Sequence, residues 1–248
     1  MPYLIGSQIL THYPETIEIA RTITQQEAQL DQRQTDLVYV PDIAKDLLEQ
    51  ISFEARESEF IDHKSGISAR MSITAYENLL STAEYRALQL GVDRTTLRLS
   101  DFIGIIPAIT GKVELVYEGE QEGASSVANS LIGEAIKTLF VKYFPKIEKL
   151  EKEDYESPYQ ELVTWFFEQS GFELLDEISD KEYKDKLDSI KPLQDLIKKF
   201  HPDVSEQDRY FLMEFTLWGL VEFKKLSKYR LSEGFSFKDL YGSYISGL

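Results

Sequence analysis

Residues Ser205–Tyr229, SEQDRYFLMEFTLWGLVEFKKLSKY, decide the fold class. Phe211, Leu212, Phe215, Leu217, Trp218, Leu220 and Val221 put apolar side chains almost all round a helix, and a helix of that kind sits buried at the centre of a protein. Ser205 supplies its N-cap, just after Pro202 has stopped the helix before it.

Working outward, the neighbouring segments read as helices too. Lys181–Phe200 precedes it, and Tyr159, Leu162, Val163, Phe166 and Phe167 make a stripe that Gly171 ends. Near the start, Pro14–Leu30 carries Ile17, Ala20, Arg21, Thr24 and Ala28 on one face. Pro41–Phe60 follows, with Ile43, Leu47, Leu48, Ile51 and Ala55 in a single stripe. A third helix is predicted from Ser68, a good N-cap after the Ser65-Gly66 break, to Leu90 before Gly91. Thr95–Pro107 reads as a loop leading into a short helix, and Ala124–Phe144 as a helix stopped by Pro145. In Gly111–Glu122, Val113, Leu115 and Tyr117 alternate like a strand, but no second strand is evident to pair with it. The segment is therefore read as an extended connection or a short helical turn. The expected fold is all-α, mostly helical. Lys146–Ser157, KIEKLEKEDYES, is charged and poor in apolar residues, like a linker. It divides a helical domain, residues 1–146, from a helical extension, residues 147–248.

Composition narrows the function classes. The chain has 248 residues and a formal net charge of −16, which repels a phosphate backbone and argues against nucleic acid as a partner. No apolar run approaches the roughly 18 residues that span a bilayer, so no membrane role is expected. The opening MPYLIGSQIL lacks the basic-then-apolar pattern of a secretory leader. Cysteine is absent, which removes disulfides and thiolate metal sites and fits a cytoplasmic protein. Seven of the nine arginines precede residue 100, whereas lysine dominates the last hundred positions. Because the arginine fork suits phosphate and carboxylate, this marks an arginine-using front region.

A phosphate loop needs glycine, four residues, Gly-Lys and then a hydroxyl residue. The nearest string, Gly104–Val113 (GIIPAITGKV), has six residues between its glycines and valine in place of the hydroxyl. No catalytic residue is assigned. His12, His63 and His201 are isolated, so no metal site is expected, and Glu118, Glu120 and Glu122 read as a solvated acidic loop. Trp165-Phe166-Phe167 and Trp218 read as core. His201-Pro202-Asp203 matches the tripeptide of J-domain co-chaperones, but its flanking helices read better as a helix–turn–helix join. Ser65–Arg70, SGISAR, sets an arginine in the first turn of a serine-capped helix, where the helix dipole and the guanidinium both attract an anion. On spacing alone, a surface arginine paired with Glu59, Asp62 or another acid is the stronger reading.

A resemblance shifts that balance. Residues 54–87, EARESEFIDHKSGISARMSITAYENLLSTAEYRA, resemble the C-terminal lid of AAA+ ATPases related to the magnesium chelatase ATPase subunit and the MoxR-like group. Ile109–Gly123 (ITGKVELVYEGEQEG) is similar to the segment after that lid, and Ile19–Ala28 (IARTITQQEA) to its first helix, so the likeness covers roughly residues 14–145. The resemblance implies that Arg70, with Ser68 as the helix cap, is the sensor-2 arginine that reads the γ-phosphate of a nucleotide held elsewhere. It further implies ATP and magnesium for the intact ATPase, ring neighbours of the same kind, and a von Willebrand A-type partner. The α/β nucleotide-binding core that precedes such a lid is missing from this chain, so the chain alone is expected to be inactive. The reading from a different class is an acidic helical-bundle scaffold that uses no nucleotide.

Overall fold

The computed structural model describes residues 12–64, 67–147, 157–169 and 171–240. The fold is mostly helical. Its first part comprises α1 (Ile17–Glu27), α2 (Gln32–Leu37), the two-residue strand β1 (Val38–Tyr39), α3 (Asp42–Glu57) and the long α4 (Arg70–Leu90). Strand β2 (Thr95–Thr96), a 3₁₀ segment (Leu99–Ile105), α5 (Ile106–Thr110), α6 (Tyr117–Glu122) and α7 (Ala124–Tyr143) follow. The remainder is α8 (Gln160–Glu168), β3 (Phe172–Leu175), α9 (Asp180–Asp188), α10 (Lys191–Phe200), α11 (Glu206–Glu222), β4 (Leu226–Leu231) and β5 (Gly234–Asp239).

The helix boundaries follow local chemistry. The N-cap of α4 is Ala69, which makes no side-chain cap bond, rather than the expected Ser68. Ser68 sits one residue earlier and its Oγ accepts the Arg70 amide at 3.2 Å, while α4 stops where Gly91 takes a left-handed φ of 65°. Ser205 Oγ accepts the Asp208 amide at 3.1 Å and caps α11. The stretch predicted as one helix, Lys181–Phe200, is two. Ser179 and Glu182 form a reciprocal capping box on α9, and Pro192 opens a new helix after Ile190. The predicted linker Lys146–Ser157 lies for the most part outside the described residues, as does the Ser65-Gly66 break.

α11 is the central element foreseen for it, with every residue from Tyr210 to Leu220 buried. α7 packs along it so closely that Gly219 lies against the Phe140 ring. Phe140 in turn meets the rings of Phe144, Tyr159, Phe215 and Phe223. One contiguous apolar core runs from Leu37 to Phe237 and draws on residues either side of position 147.

The helix expected over Ser205–Tyr229 ends early. Lys224 adopts a left-handed φ of 57°, and the chain turns into β4, which pairs antiparallel with β5. β3 adds to the other side of β5, giving a three-stranded sheet of order β3-β5-β4 inside the expected helical extension. The β4–β5 hairpin turns on Ser232-Glu233, and Gly234 is required at φ 132° because a Cβ there would overlap the Leu174 carbonyl oxygen. A second pairing, parallel, joins β1 to β2. Within Gly111–Glu122, Leu115 does find a bridging partner, Ile61, and Tyr117 onward is a short helix.

Candidate functional site

Arg70 is the first residue of α4, and its neighbour Met71 is already 1% exposed. The arginine side chain is exposed, and among the described residues it makes no hydrogen bond and no ion pair. Glu59 and Asp62, the acids nearest in sequence, do not pair with it; Asp62 Oδ1 instead accepts the Lys64 amide at 2.8 Å. The approach to the helix is fixed from behind. Tyr13 Oη accepts the Ile67 amide at 3.0 Å, and the Arg56 guanidinium of α3 lies over the Tyr13 ring, 4.5 Å from its centroid. A guanidinium without a described partner therefore projects from the start of α4.

The far end of α4 holds a cluster that sequence reasoning missed. Arg86, 5% exposed, grips Asp101 with two bonds, Nε to Oδ1 at 3.1 Å and Nη2 to Oδ2 at 2.8 Å. Its remaining donors reach Thr95 Oγ1 at 2.9 Å and the Thr96 carbonyl at 3.0 Å. Burial works against the Arg86 charge, but Asp101 and Asp180 outweigh it and raise its pKa. Among the described residues Arg98 is the largest fully buried side chain. It donates to Asp180 Oδ1 at 2.8 Å and to the Ile178 carbonyl at 2.9 Å, and it lies over the Tyr183 ring at 4.4 Å. The Tyr183 hydroxyl donates to Glu214 Oε2 at 2.8 Å, and the Leu99 amide donates to the same oxygen at 2.8 Å. Glu214 is wholly buried, and burial pushes its carboxyl up to about 7. The cluster thus ties the end of α4 to α9 and α11, and its charges compensate one another.

A cleft of about 460 Å³ opens beside this cluster, with Lys45, Arg94 and Lys184 at its rim. Lys45 pairs with Asp42 and Lys184 with Glu206, each at 3.0 Å. Among the described residues Arg94 alone of these three rim cations has no partner. The only sequence signal for this region was the crowding of arginines before residue 100, since Asp180 and Glu214 lie far along the chain.

Other sequence candidates occupy structural positions. His201 Nε2 lies 2.8 Å from the Tyr143 carbonyl, and its ring packs edge-on against Phe144, so the His-Pro-Asp turn joins α10 to α7. Gly104 lies in the 3₁₀ segment, where a Cβ would overlap Thr82 of α4; the glycine serves packing. Glu118, Glu120 and Glu122 are exposed on α6. Phe166 and Trp218 are core, whereas Phe167 is 66% exposed. Among the described residues no group of three or more acidic or histidine side chains could hold a metal ion. No helix there is long and apolar enough to cross a membrane.

Comparison with known proteins supplies no relative: no family model, no curated protein and no solved structure matches the chain.

Proposed function

We propose that this chain is the C-terminal lid and regulatory part of a magnesium-chelatase-like AAA+ ATPase of the cytoplasm. In this reading Arg70 contacts the γ-phosphate of a nucleotide, with its magnesium, held by an ATPase core outside this chain. The observation that carries it is the state of Arg70: an exposed guanidinium at a helix start, without a described partner, on a helix whose body is locked into the core. The arginines that tie the fold together, Arg86 and Arg98, are both ion-paired. The second support is mechanical. α4 is a 21-residue helix with Arg70 at one end and the Arg86–Asp101 clamp at the other, so a tilt of the sensor end carries to α9 and α11. Ring neighbours and a von Willebrand A-type protein are the partners this reading calls for.

The test is Arg70→Ala. Stability of the chain should change by no more than roughly 0.5 kcal/mol, as for most surface substitutions. In the intact ATPase the same change should impair hydrolysis or its coupling, because a bidentate phosphate contact is lost. A folded Arg70→Ala ATPase with normal turnover and normal nucleotide dependence rules the sensor role out.

A further inference from the structure

A second cleft, of about 440 Å³, lies on the side of α11 that faces the hairpin, within the roughly 300–1,000 Å³ range of small-molecule sites. Its apolar floor is Phe102 and Ile103 of the 3₁₀ segment, Ile106 of α5 and Ile132 of α7. Two opposite charges share this cleft without meeting. Glu222, in the last turn of α11, and Lys228 of β4 both line it, yet no ion pair joins them. Neither side chain makes a hydrogen bond or ion pair to any other described residue. The Lys228 ammonium rests on aromatic faces, 3.2 Å from the Trp218 ring centroid and 5.2 Å from that of Phe235. Trp218 is itself 5% exposed, and its Nε1–H is buried without an acceptor. Arg230, the other cation in the wall, is already paired with Asp176 at 3.2 Å. Gly133 of α7 makes room for the carboxylate, since a Cβ there would lie 2.7 Å from Glu222 Oε2.

Half-buried charges without a direct ion pair are costly, and the surroundings register it. Burial pushes the Lys228 amine down to about 8 against the pull of Glu222 and Glu214. Burial also pushes the Glu222 carboxyl up, against the pull of Lys228 and Lys137. The cleft beside Arg98 is different, because the charges buried there compensate one another. We infer that the cleft between α7, α11 and β4 binds a small zwitterion with an apolar side chain, the chemistry of a free apolar α-amino acid. The ligand carboxylate would meet Lys228, its ammonium would meet Glu222, and its side chain would cover the Phe102–Ile106–Ile132 floor. A simple monoanion leaves Glu222 facing it with like charge, and a simple amine does the same with Lys228.

The experiment is a calorimetric titration of the intact chain with L-phenylalanine and L-leucine. In parallel, 3-phenylpropionate lacks the ammonium and phenethylamine lacks the carboxylate. At least one amino acid should bind saturably below about 10 mM, and each phenyl analogue should bind at least about tenfold more weakly than L-phenylalanine. Lys228→Met and Glu222→Gln, each shown to be folded by circular dichroism, should weaken amino-acid binding by a similar factor. The proposal is overturned by the absence of saturable binding, by an analogue that binds as tightly as phenylalanine, or by affinity unchanged in both folded variants. The analogue comparison needs no variant, so it decides the matter even where a substitution prevents folding.

Discussion

Glu214→Gln isolates the cost of a carboxylate sealed in the centre of the fold. Both bonds to the wild-type side chain arrive at one oxygen: Leu99 N–H and Tyr183 O–H donate to Oε2, while Oε1 is buried without a partner. A glutamine whose carbonyl takes the Oε2 position keeps both bonds, so the substitution chiefly removes the titration. Burial raises the carboxyl from 4.5 to about 7, helped by Asp101 and opposed by the Tyr183 and Leu99 bonds and by Arg98. The native state therefore holds a proton that the unfolded chain has released, and this contribution to stability is complete below pH 4.5. It is lost as pH rises through about 7, and at 1.36 kcal/mol per unit the whole window amounts to about 3 kcal/mol. Solubility falls near the isoelectric point of about 4.7, so the practical comparison starts above it. Between about pH 5.5 and about pH 8 the wild type should lose about 2 kcal/mol relative to Glu214→Gln. Urea unfolding of both proteins at each pH reads that difference, and shared titrations elsewhere cancel in the subtraction. A difference that stays constant across the range would refute the raised carboxyl and the argument built on it.

Three further outcomes are expected. Asp101→Ala leaves the Arg86 guanidinium buried with only Asp180, at 3.6 Å, to compensate it. Urea unfolding should show a loss of about 3–5 kcal/mol, most of it recovered in an Arg86→Met, Asp101→Leu double variant. Gly219→Ala gains about 1 kcal/mol in helix propensity, but its Cβ overlaps the fully buried Phe140 ring, where overpacking costs up to about 3 kcal/mol. A lower unfolding midpoint is the expected result, and stabilisation would show that the α7–α11 contact is looser than described. Finally, the chain alone should release no phosphate from ATP above a buffer blank, because no phosphate loop positions the nucleotide or its magnesium. Turnover abolished by a single substitution in this chain would overturn that expectation.

Much of the helical frame was legible in the sequence because its causes are local. The 3.6-residue stripes of α1, α3 and α8, the Ser205 cap and the stop at Gly91 each involve residues within one or two turns of one another. The burial of α11 followed from the same reasoning, whereas the start of α4 fell one residue after the expected Ser68 cap, at Ala69. The strands were not legible. β3 spans four residues, and β4, LSKYRL, carries polar side chains that continue the helical spacing of α11. What makes them strands is β5 lying between them, a partner that no local pattern announces. The charged cluster was hidden for the same reason. Arg86 and Asp101 are 15 residues apart, Arg98 and Asp180 are 82 apart, and Leu99 and Glu214 are 115 apart. Burial of the cluster and the resulting shift at Glu214 exist only once α9 and α11 close over the end of α4. Local periodicity and capping determined where the chain coils; long-range packing alone decided which charges lost their water and which, as at Arg70, Arg94, Glu222 and Lys228, have no ion pair among the described residues.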